Sequence, residues 1–419
     1  MTTNLSGFPL STRLRDVRGS AIRDLLTLTA RPDVLSLAGG LPAGDALPRE
    51  RIAVAAERAL RAPASVQYGE TAGLADLREV VAAHEALRVG RPVTASDVVV
   101  TSGSQQALDL LARAVVDPGD PVVVEDPAYV GALQVFQAAG ADLHSVPLDA
   151  EGMDLDALER LLREGLRPRL VHTVSSFHNP RGVTMSQVRR ARLAELADRY
   201  GLLVVEDDPY GLLAFDGAPP RPVAAYGDRV VRLGSTSKIL APALRVGWLA
   251  GPAPVVAAVE RLRQCADLCG STLTQTIATE LLSDGPWLAG HLHRLRADGA
   301  ARAGVFTAAV DAAFGPAVVR SDAAGGMFCW LEFVDGTDTD ALLQRALARG
   351  VAFVPGSAFS VSRPRTDAAR CCFATLSAAD LREAVARLAG AWQASTGPGS
   401  DVEGSGGRIG HRQSLTTRR

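Results

Sequence analysis

The sequence predicts an α/β protein with a mainly parallel central sheet and a smaller α+β domain beside it. Three observations lead there. Short apolar runs such as Val98-Val99-Val100, Pro121-Val122-Val123-Val124 and Leu202-Leu203-Val204-Val205 read as strands buried on both faces. Helical segments with a period of about 3.6 residues separate them, the alternation that a parallel sheet with crossover helices requires. Polar clusters recur at the carboxyl ends of these runs, where sites collect in sheets of this kind.

Composition bounds the function. The chain has 419 residues, 47% hydrophobic and 21% charged, ordinary for a globular protein and long enough for two domains with a large core. The net charge is −2 with no long single-sign run in the body, so neither a nucleic-acid nor a membrane-surface partner is expected. The five cysteines, Cys265, Cys269, Cys329, Cys371 and Cys372, form no CxxC pair and read mostly as buried thiols of a reducing compartment. Cys265 and Cys269 could share a helix face, but no matching Cys/His pair accompanies them, and no metal is expected. There is no apolar signal region, and no charge-free apolar run approaches the roughly 20 residues of a membrane span, so a cytoplasmic location is expected.

The elements follow in order. Residues 20–28 read as a short amphipathic helix capped by Ser20, and Gly39-Gly40 as backbone passing close to another group. Helices are expected over 49–61 and 73–88, with Gln67-Tyr68-Gly69 between them. Strand 97–101 runs through Ser102-Gly103-Ser104-Gln105-Gln106 into a helix ending near 116. A Gly/Ser turn opening a helix leaves free N–H groups at the positive end of the helix dipole, an anion site. The GxxxxGK[ST] pattern is absent. Strand 121–125 leads to Asp126-Pro127-Ala128-Tyr129 and a helix to about 139. Strands 141–146 and 169–175 follow, the second ending in Phe177-His178-Asn179-Pro180-Arg181-Gly182. Helix 186–200 leads to strand 202–206 and Asp207-Asp208-Pro209-Tyr210. Strand 230–233 delivers Gly234-Ser235-Thr236-Ser237-Lys238, with Arg245 seven residues on, and strand 246–250 comes next. Helices dominate 253–314. Strands at 325–331, 351–354 and 370–374 and a helix over about 378–395 form the second layer. Residues 396–419, Gly/Ser-rich with a basic end, read as a disordered tail.

The stretch around Lys238 is the centre of the reading. Its amine could bind a carbonyl cofactor covalently while Ser235, Ser237 and Arg245 hold a phosphate. Pyridoxal 5'-phosphate has both an aldehyde and a phosphate. Alone, the same stretch also reads as a polar turn with a solvated lysine; the other strand-end clusters weigh against that.

Ordered motifs extend the reading. They are Ser20-Ala21-Ile22-Arg23, Ala38-Gly39-Gly40-Leu41-Pro42, Gln67-Tyr68-Gly69, Thr101-Ser102-Gly103-Ser104-Gln105-Gln106, Glu125-Asp126-Pro127-Ala128-Tyr129, Asn179-Pro180-x-Gly182, Glu206-Asp207-Asp208-Pro209-Tyr210, Ser235-x-Ser237-Lys238 and Arg370-x-x-Phe373. With them the chain resembles, over roughly residues 18–395, the fold-type I pyridoxal-phosphate aminotransferases of class I and II, most closely the kynurenine/2-aminoadipate aminotransferase subgroup.

The resemblance implies roles. Lys238 would form a Schiff base with the cofactor and then move protons. Asp207 would pair with the pyridine nitrogen, Asn179 and Tyr210 with the ring hydroxyl, and Tyr129 would stack on the ring. Ser104, Gln105, Ser235, Ser237 and Arg245 would hold the phosphate. Tyr68 would reach the phosphate of a neighbouring subunit, which implies a homodimer. Arg370 would grip the substrate α-carboxylate beside Asn179, Gly40 would line the pocket, and Arg23, on a mobile early helix, could read an acidic or aromatic side chain. The implied domains are 1–48, completing the small domain and forming a substrate lid; 49–290, binding the cofactor; and 291–395, the small C-terminal domain. The implied activity is ping-pong transfer of an amino group from an L-amino acid to a 2-oxo acid. The same site could instead host oxidative or decarboxylation-dependent deamination, or β/γ-replacement, in a specialised biosynthetic pathway. A regulator built on such a domain would carry a winged helix ahead of residue 20, and none is expected.

The chain departs from the family pattern in places. Arg181 stands where Asn-Pro-Thr-Gly is usual, Ser360 where an aromatic residue is frequent, and Cys371-Cys372 follow Arg370. His178, next to Asn179, is a candidate base.

Overall fold

The computed structural model describes residues 33–396. The expected helix over 20–28 with Arg23, and the tail beyond residue 396, lie outside the described residues. The first half of the described chain runs β1 (Leu35–Ser36), α1 (Arg49–Leu60), α2 (Ala75–Val89), β2 (Val98–Thr101), α3 (Ser104–Val115), β3 (Pro121–Asp126), α4 (Val130–Ala139), β4 (Asp142–Asp149), β5 (Gly152–Met153), α5 (Leu155–Arg163), β6 (Leu170–Thr173) and α6 (Gln187–Tyr200). It continues β7 (Leu203–Asp207), β8 (Val230–Ser235), β9 (Gly247–Ala250), α7 (Ala253–Ala266), α8 (Thr272–Ser283), α9 (Gly285–Phe314), β10 (Val318–Arg320), β11 (Phe328–Phe333), α10 (Thr339–Ala348), β12 (Val351–Ala352), β13 (Val354–Pro355), β14 (Ala368–Cys372) and α11 (Ala378–Thr396).

Among the described residues, the large sheet has eight strands in the order β2-β9-β8-β7-β6-β3-β4-β5. The pairs β8/β7, β7/β6, β6/β3 and β3/β4 are parallel; β9 is antiparallel to both neighbours. Strands β2, β6, β8 and β9 are buried along their whole length, as strands covered on both faces are, and β6 and β8 bury polar side chains too, His172 and Arg232 among them. A second, antiparallel sheet follows the order β10-β11-β14-β13, and β1 pairs in parallel with β12. Helix α9 runs without a break across residue 290, so the expected domain boundary falls inside a continuous helix that joins the two sheets.

The second layer differs from expectation in detail. The strand expected over 351–354 is two short strands with different partners, β12 on β1 and β13 on β14. The strand expected from 325 begins at Phe328 because the two glycines before it form a close approach instead. A Cβ on Gly326, whose φ is +65°, would lie 2.5 Å from Phe177 Cβ, and one on Gly325 would lie 2.3 Å from the Phe177 ring. Helices α5 and α10 were not anticipated. Each opens on an aspartate, Asp154 or Asp338, whose side chain accepts from the next two free N–H groups.

A buried ionic cluster underlies the strand ends. Glu206 and Arg232 face each other across the β7/β8 register. Arg232 donates Nε to Glu85 Oε2 at 2.6 Å, Nη1 to Glu206 Oε2 at 3.0 Å and Nη2 to Asp208 Oδ2 at 3.2 Å. Arg190 reaches Glu206 from the other side, Arg88 reaches Asp208, and Trp248 Nε1 satisfies Glu85 Oε1 at 2.9 Å. Buried charges are tolerable only when paired and hydrogen-bonded, as these are. Burial pushes the Asp208 pKa up, but the charges of Arg88, Arg232 and Arg190 outweigh it and hold the carboxyl at about 2. The folded value is below the unfolded one. The ionised group therefore contributes its full stability, roughly 2 kcal/mol, above about pH 4 and loses it as pH falls through about 2. Asp208→Asn is expected to lower the melting temperature at pH 7, with the gap to wild type narrowing on acidification below pH 4 in thermal scans.

Candidate active site

The strand-end residues converge. Gly40, Ser104, Gln105, Tyr129, Asn179 and Asp207 line one cavity of about 500 Å³, together with Tyr210, Ser235, Ser237, Lys238, Arg245 and Arg370. Tyr68 does not line it; its side chain is 79% exposed on the surface of the single chain.

One end of the cavity is shaped for a phosphate. Helix α3 opens at Gly103 with no side-chain cap, so its first N–H groups are available to a ligand. Gly103 has a φ of +91°, and a Cβ there would sit 2.5 Å from Arg245 Nη2. The same nitrogen donates to Ser102 O at 2.6 Å. Ser235 Oγ donates to Ser237 Oγ at 2.8 Å and accepts from the Ser237 N–H at 3.1 Å. Two hydroxyls, a guanidinium and a helix N-terminus thus line the same cavity, a donor set that suits an anion.

The middle of the cavity holds groups suited to a protonated ring and a reactive aldehyde. Asp207 ends β7, is 4% exposed, and its Oδ1 is buried without a hydrogen-bond partner. A buried carboxylate left this way is costly, and a pyridinium N–H would relieve it. Tyr129 Oη donates to Gln105 Oε1 at 3.1 Å; burial and then the charge of Asp207 push its pKa up to about 12. Burial, then Tyr129, raises Tyr210 as well. Both phenols are therefore neutral donors near pH 7. Lys238 Nζ donates to Gly40 O at 2.6 Å, and burial lowers its pKa to about 8.

The far end belongs to the second sheet. Arg370 on β14 is buried, its guanidinium 4.4 Å from the Phe328 ring and 5.1 Å from that of Phe359. Nη1 donates to Asn179 Oδ1 at 3.0 Å and Nη2 to Ala38 O at 2.5 Å, while Nε has no hydrogen-bond partner. Gly40 is placed where a Cβ would press on Phe328 Cζ at 3.2 Å, in keeping with the close passage expected of Gly39-Gly40.

Sequence reasoning missed Phe328, which lines the cavity, faces Arg370 and packs edge-on to Tyr210 with centroids 5.8 Å apart. Its signal was the Gly325-Gly326 pair just before it, read only as the start of a strand. The reading of His178 as a base is corrected. His178 is 1% exposed and does not line the cavity; Nε2 lies 2.9 Å from Glu125 Oε2, and Nδ1 accepts from the Arg181 N–H at 3.3 Å. Burial alone would raise the Glu125 pKa, but the charge of His178 together with hydrogen bonds from His178, Thr173 and the Val174 N–H brings the carboxyl below its ordinary value. His178 therefore pins the loop that presents Asn179. Arg181 and Ser360 also point elsewhere: Arg181 Nη1 donates to Leu148 O, and Ser360 Oγ accepts from the Arg365 N–H. Among the described residues no cluster of His, Cys, Asp and Glu could hold a metal.

The sequence profile described as aminotransferase class I and II matches residues 32–388. The chain belongs to this family. The aromatic-amino-acid aminotransferase 1 of Thermococcus litoralis is 40% identical over 381 residues, 89% of this chain and 91% of that protein. The 2-aminoadipate transaminase of Thermus thermophilus is 39% identical over 380 residues, 89% and 93% of the two chains. The solved α-aminoadipate aminotransferase of Thermus thermophilus, in complex with N-(5'-phosphopyridoxyl)-L-leucine, is 36% identical, superimposes with a TM-score of 0.86, and covers 92% of this chain and 97% of its own. The fold is that of the fold-type I pyridoxal-phosphate enzymes. This aminotransferase uses pyridoxal 5'-phosphate to move an amino group between an amino acid and a 2-oxo acid. Among its described residues no helix is long and apolar enough to cross a membrane.

Proposed function

We propose that the cavity is where this transfer takes place, with Lys238, Asp207 and Arg370 as its three working groups. The observation that carries the reading is their convergence on one cavity from two different sheets. Bound there, pyridoxal phosphate supplies an aldehyde that takes the amino group and a ring that holds the electron pair left when Cα loses its proton. Lys238 Nζ takes that proton and returns one, its lowered pKa leaving a usable fraction of neutral amine near pH 7. Asp207 keeps a proton on the ring nitrogen. Asn179 and Tyr210 bind the ring hydroxyl, and Tyr129 covers the ring face. Ser104, Gln105, Ser235, Ser237 and Arg245 hold the phosphate. Arg370 grips the α-carboxylate that donor and product share, which lets one site serve both half-reactions.

We read residues 49–290 and 291–395 as two domains with the site between them. The working unit is a homodimer in which Tyr68 reaches the phosphate of the partner; its exposure, away from its own cavity, supports this. Unpaired cysteines support a cytoplasmic location. Aromatic amino acids are the first donors to test, because the wall beside Arg370 is Phe328 with Val130 and Val174 close by. A 2-aminoadipate donor would draw on Arg23. Titrating the protein with single amino acids, without any 2-oxo acid, decides the matter. One donor should convert the cofactor absorbance and release one equivalent of its oxo acid. Ammonia or carbon dioxide in its place would overturn the reading.

A further inference from the structure

Asn179 carries Arg370 on Oδ1 at 3.0 Å. Two residues later, Arg181 turns away from the cavity and bridges the two sheets. Its Nη1 donates to Leu148 O of β4 at 2.9 Å, and its Nη2 lies 3.5 Å from Glu332 Oε1 of β11. Glu332 Oε1 is fixed in turn by Trp330 Nε1 at 3.0 Å and Arg365 Nη2 at 3.1 Å. Trp330 is the register partner of Arg370 across β11/β14, and β11 begins with Phe328. The loop backbone presses on the same strand: a Cβ on Gly182 would sit 2.6 Å from Phe328 O. The wall for the substrate carboxylate thus belongs to the second sheet, and Arg181 is one of the contacts that tie that sheet to the loop carrying Asn179.

We propose that Arg181 is a positioning residue that sets where the second sheet presents Arg370 and Phe328 over the cofactor site. The proposal rests on the reading of Arg370 as the carboxylate clamp. It asks Arg181 to bind nothing in the reaction. A lysine has one compact charge and cannot serve Leu148 O and Glu332 together as a planar fork does. A threonine reaches neither. Both contacts are partly sheltered, with side-chain exposures of 19% for Arg181 and 29% for Glu332, so the ion pair is worth more than a fully solvated one.

The test uses the holoenzyme. Arg181→Thr is expected to raise KM for both amino acid and oxo acid about fivefold, with kcat within about twofold, since the carboxylate they share is what is misplaced. The dissociation constants of succinate and 3-phenylpropanoate, read from the perturbation of cofactor absorbance, should rise by the same factor, while pyridoxal-phosphate affinity stays put. Glu332→Gln should do the same, and the double variant should be no worse than either single one. The cavity of about 340 Å³ beside Arg181 and Glu332 has room for a guanidinium ion, so millimolar guanidinium should restore KM in Arg181→Ala. Unchanged KM and carboxylate affinity in Arg181→Thr, additive effects in the double variant, or cofactor affinity falling in step would each overturn the proposal. Arg181→Lys, which keeps the charge, should recover only part of the loss; full recovery would reduce the role to charge alone and overturn the bridging geometry. Arg370→Ala run beside these separates the two ideas: if carboxylate binding survives it, the clamp reading itself is wrong and the Arg181 proposal falls with it.

Discussion

Lys238→Ala is expected to lose at least about 10³-fold in kcat, because among the described residues no other amine lines the cavity to take and return the Cα proton. His178, the nearest rival in sequence, is held by Glu125 and faces away. The variant should still bind pyridoxal phosphate, since the phosphate end of the cavity and Asp207 are untouched, but without the absorbance change of covalent attachment. The pH dependence of that attachment in wild type follows from the environment of the amine. Burial disfavours the charged form and lowers the pKa to about 8, with Arg370 and Arg245 adding to it. The neutral amine is the nucleophile, so the rate at which cofactor-free protein reacts with added pyridoxal phosphate should rise with pH, pass half its maximum near 8 and level off about one pH unit above. A stopped-flow series from pH 6 to 10 reads it. A rate still climbing at pH 10 would mean an amine in water, and the cavity would not be the site of attachment.

The outline of this site was legible because it follows from a topological rule. Ser104, Asp207 and Ser235 each lie at the carboxyl end of an apolar run, and a parallel sheet puts such ends on one edge. What was not legible is direction. His178, Asn179 and Arg181 are neighbours in sequence, yet Asn179 faces the cavity, His178 the buried Glu125, and Arg181 the crevice between the sheets. A loop has no fixed period from which to read this, unlike a strand or helix. Phe328 was hidden for another reason. An apolar residue in a strand predicts burial but not that the burial is against a cofactor site and an arginine. The cluster of Glu85, Arg232 and Glu206 joins side chains far apart in the chain, and only the pairing of β7 with β8 reveals the match. Asp154 and Asp338, by contrast, announce α5 and α10 by a local signal, an aspartate ahead of spaced leucines.

Asp207→Ala is expected to cost about 10³-fold in turnover while leaving the fold as stable as before, and its neighbour should show the reverse. The two carboxylates are adjacent in sequence, and nothing local tells them apart. Their partners do. Asp208 is ringed by Arg88 and Arg232 and accepts the Gly211 N–H at 2.8 Å, so its charge stabilises the chain. Asp207 has an Oδ1 with no partner, and the nearest basic group, His172 Nε2, is 3.9 Å from its Oδ2. A buried acceptor left unsatisfied lowers stability, and deleting it removes that penalty. Stability is thus given up at the residue that a ring nitrogen would satisfy. The comparison needs thermal scans of both variants without cofactor and kcat with it. Asp207→Ala should melt no lower than wild type and turn over poorly. Asp208→Asn should melt lower and keep most of its kcat. If Asp207→Ala melted as low as Asp208→Asn and lost only a few-fold in turnover, Asp207 would be a turn residue, and the ring would need another partner. The strain therefore has a direction: the chain holds one carboxylate with arginines so that the next can stand unpaired where the ring arrives.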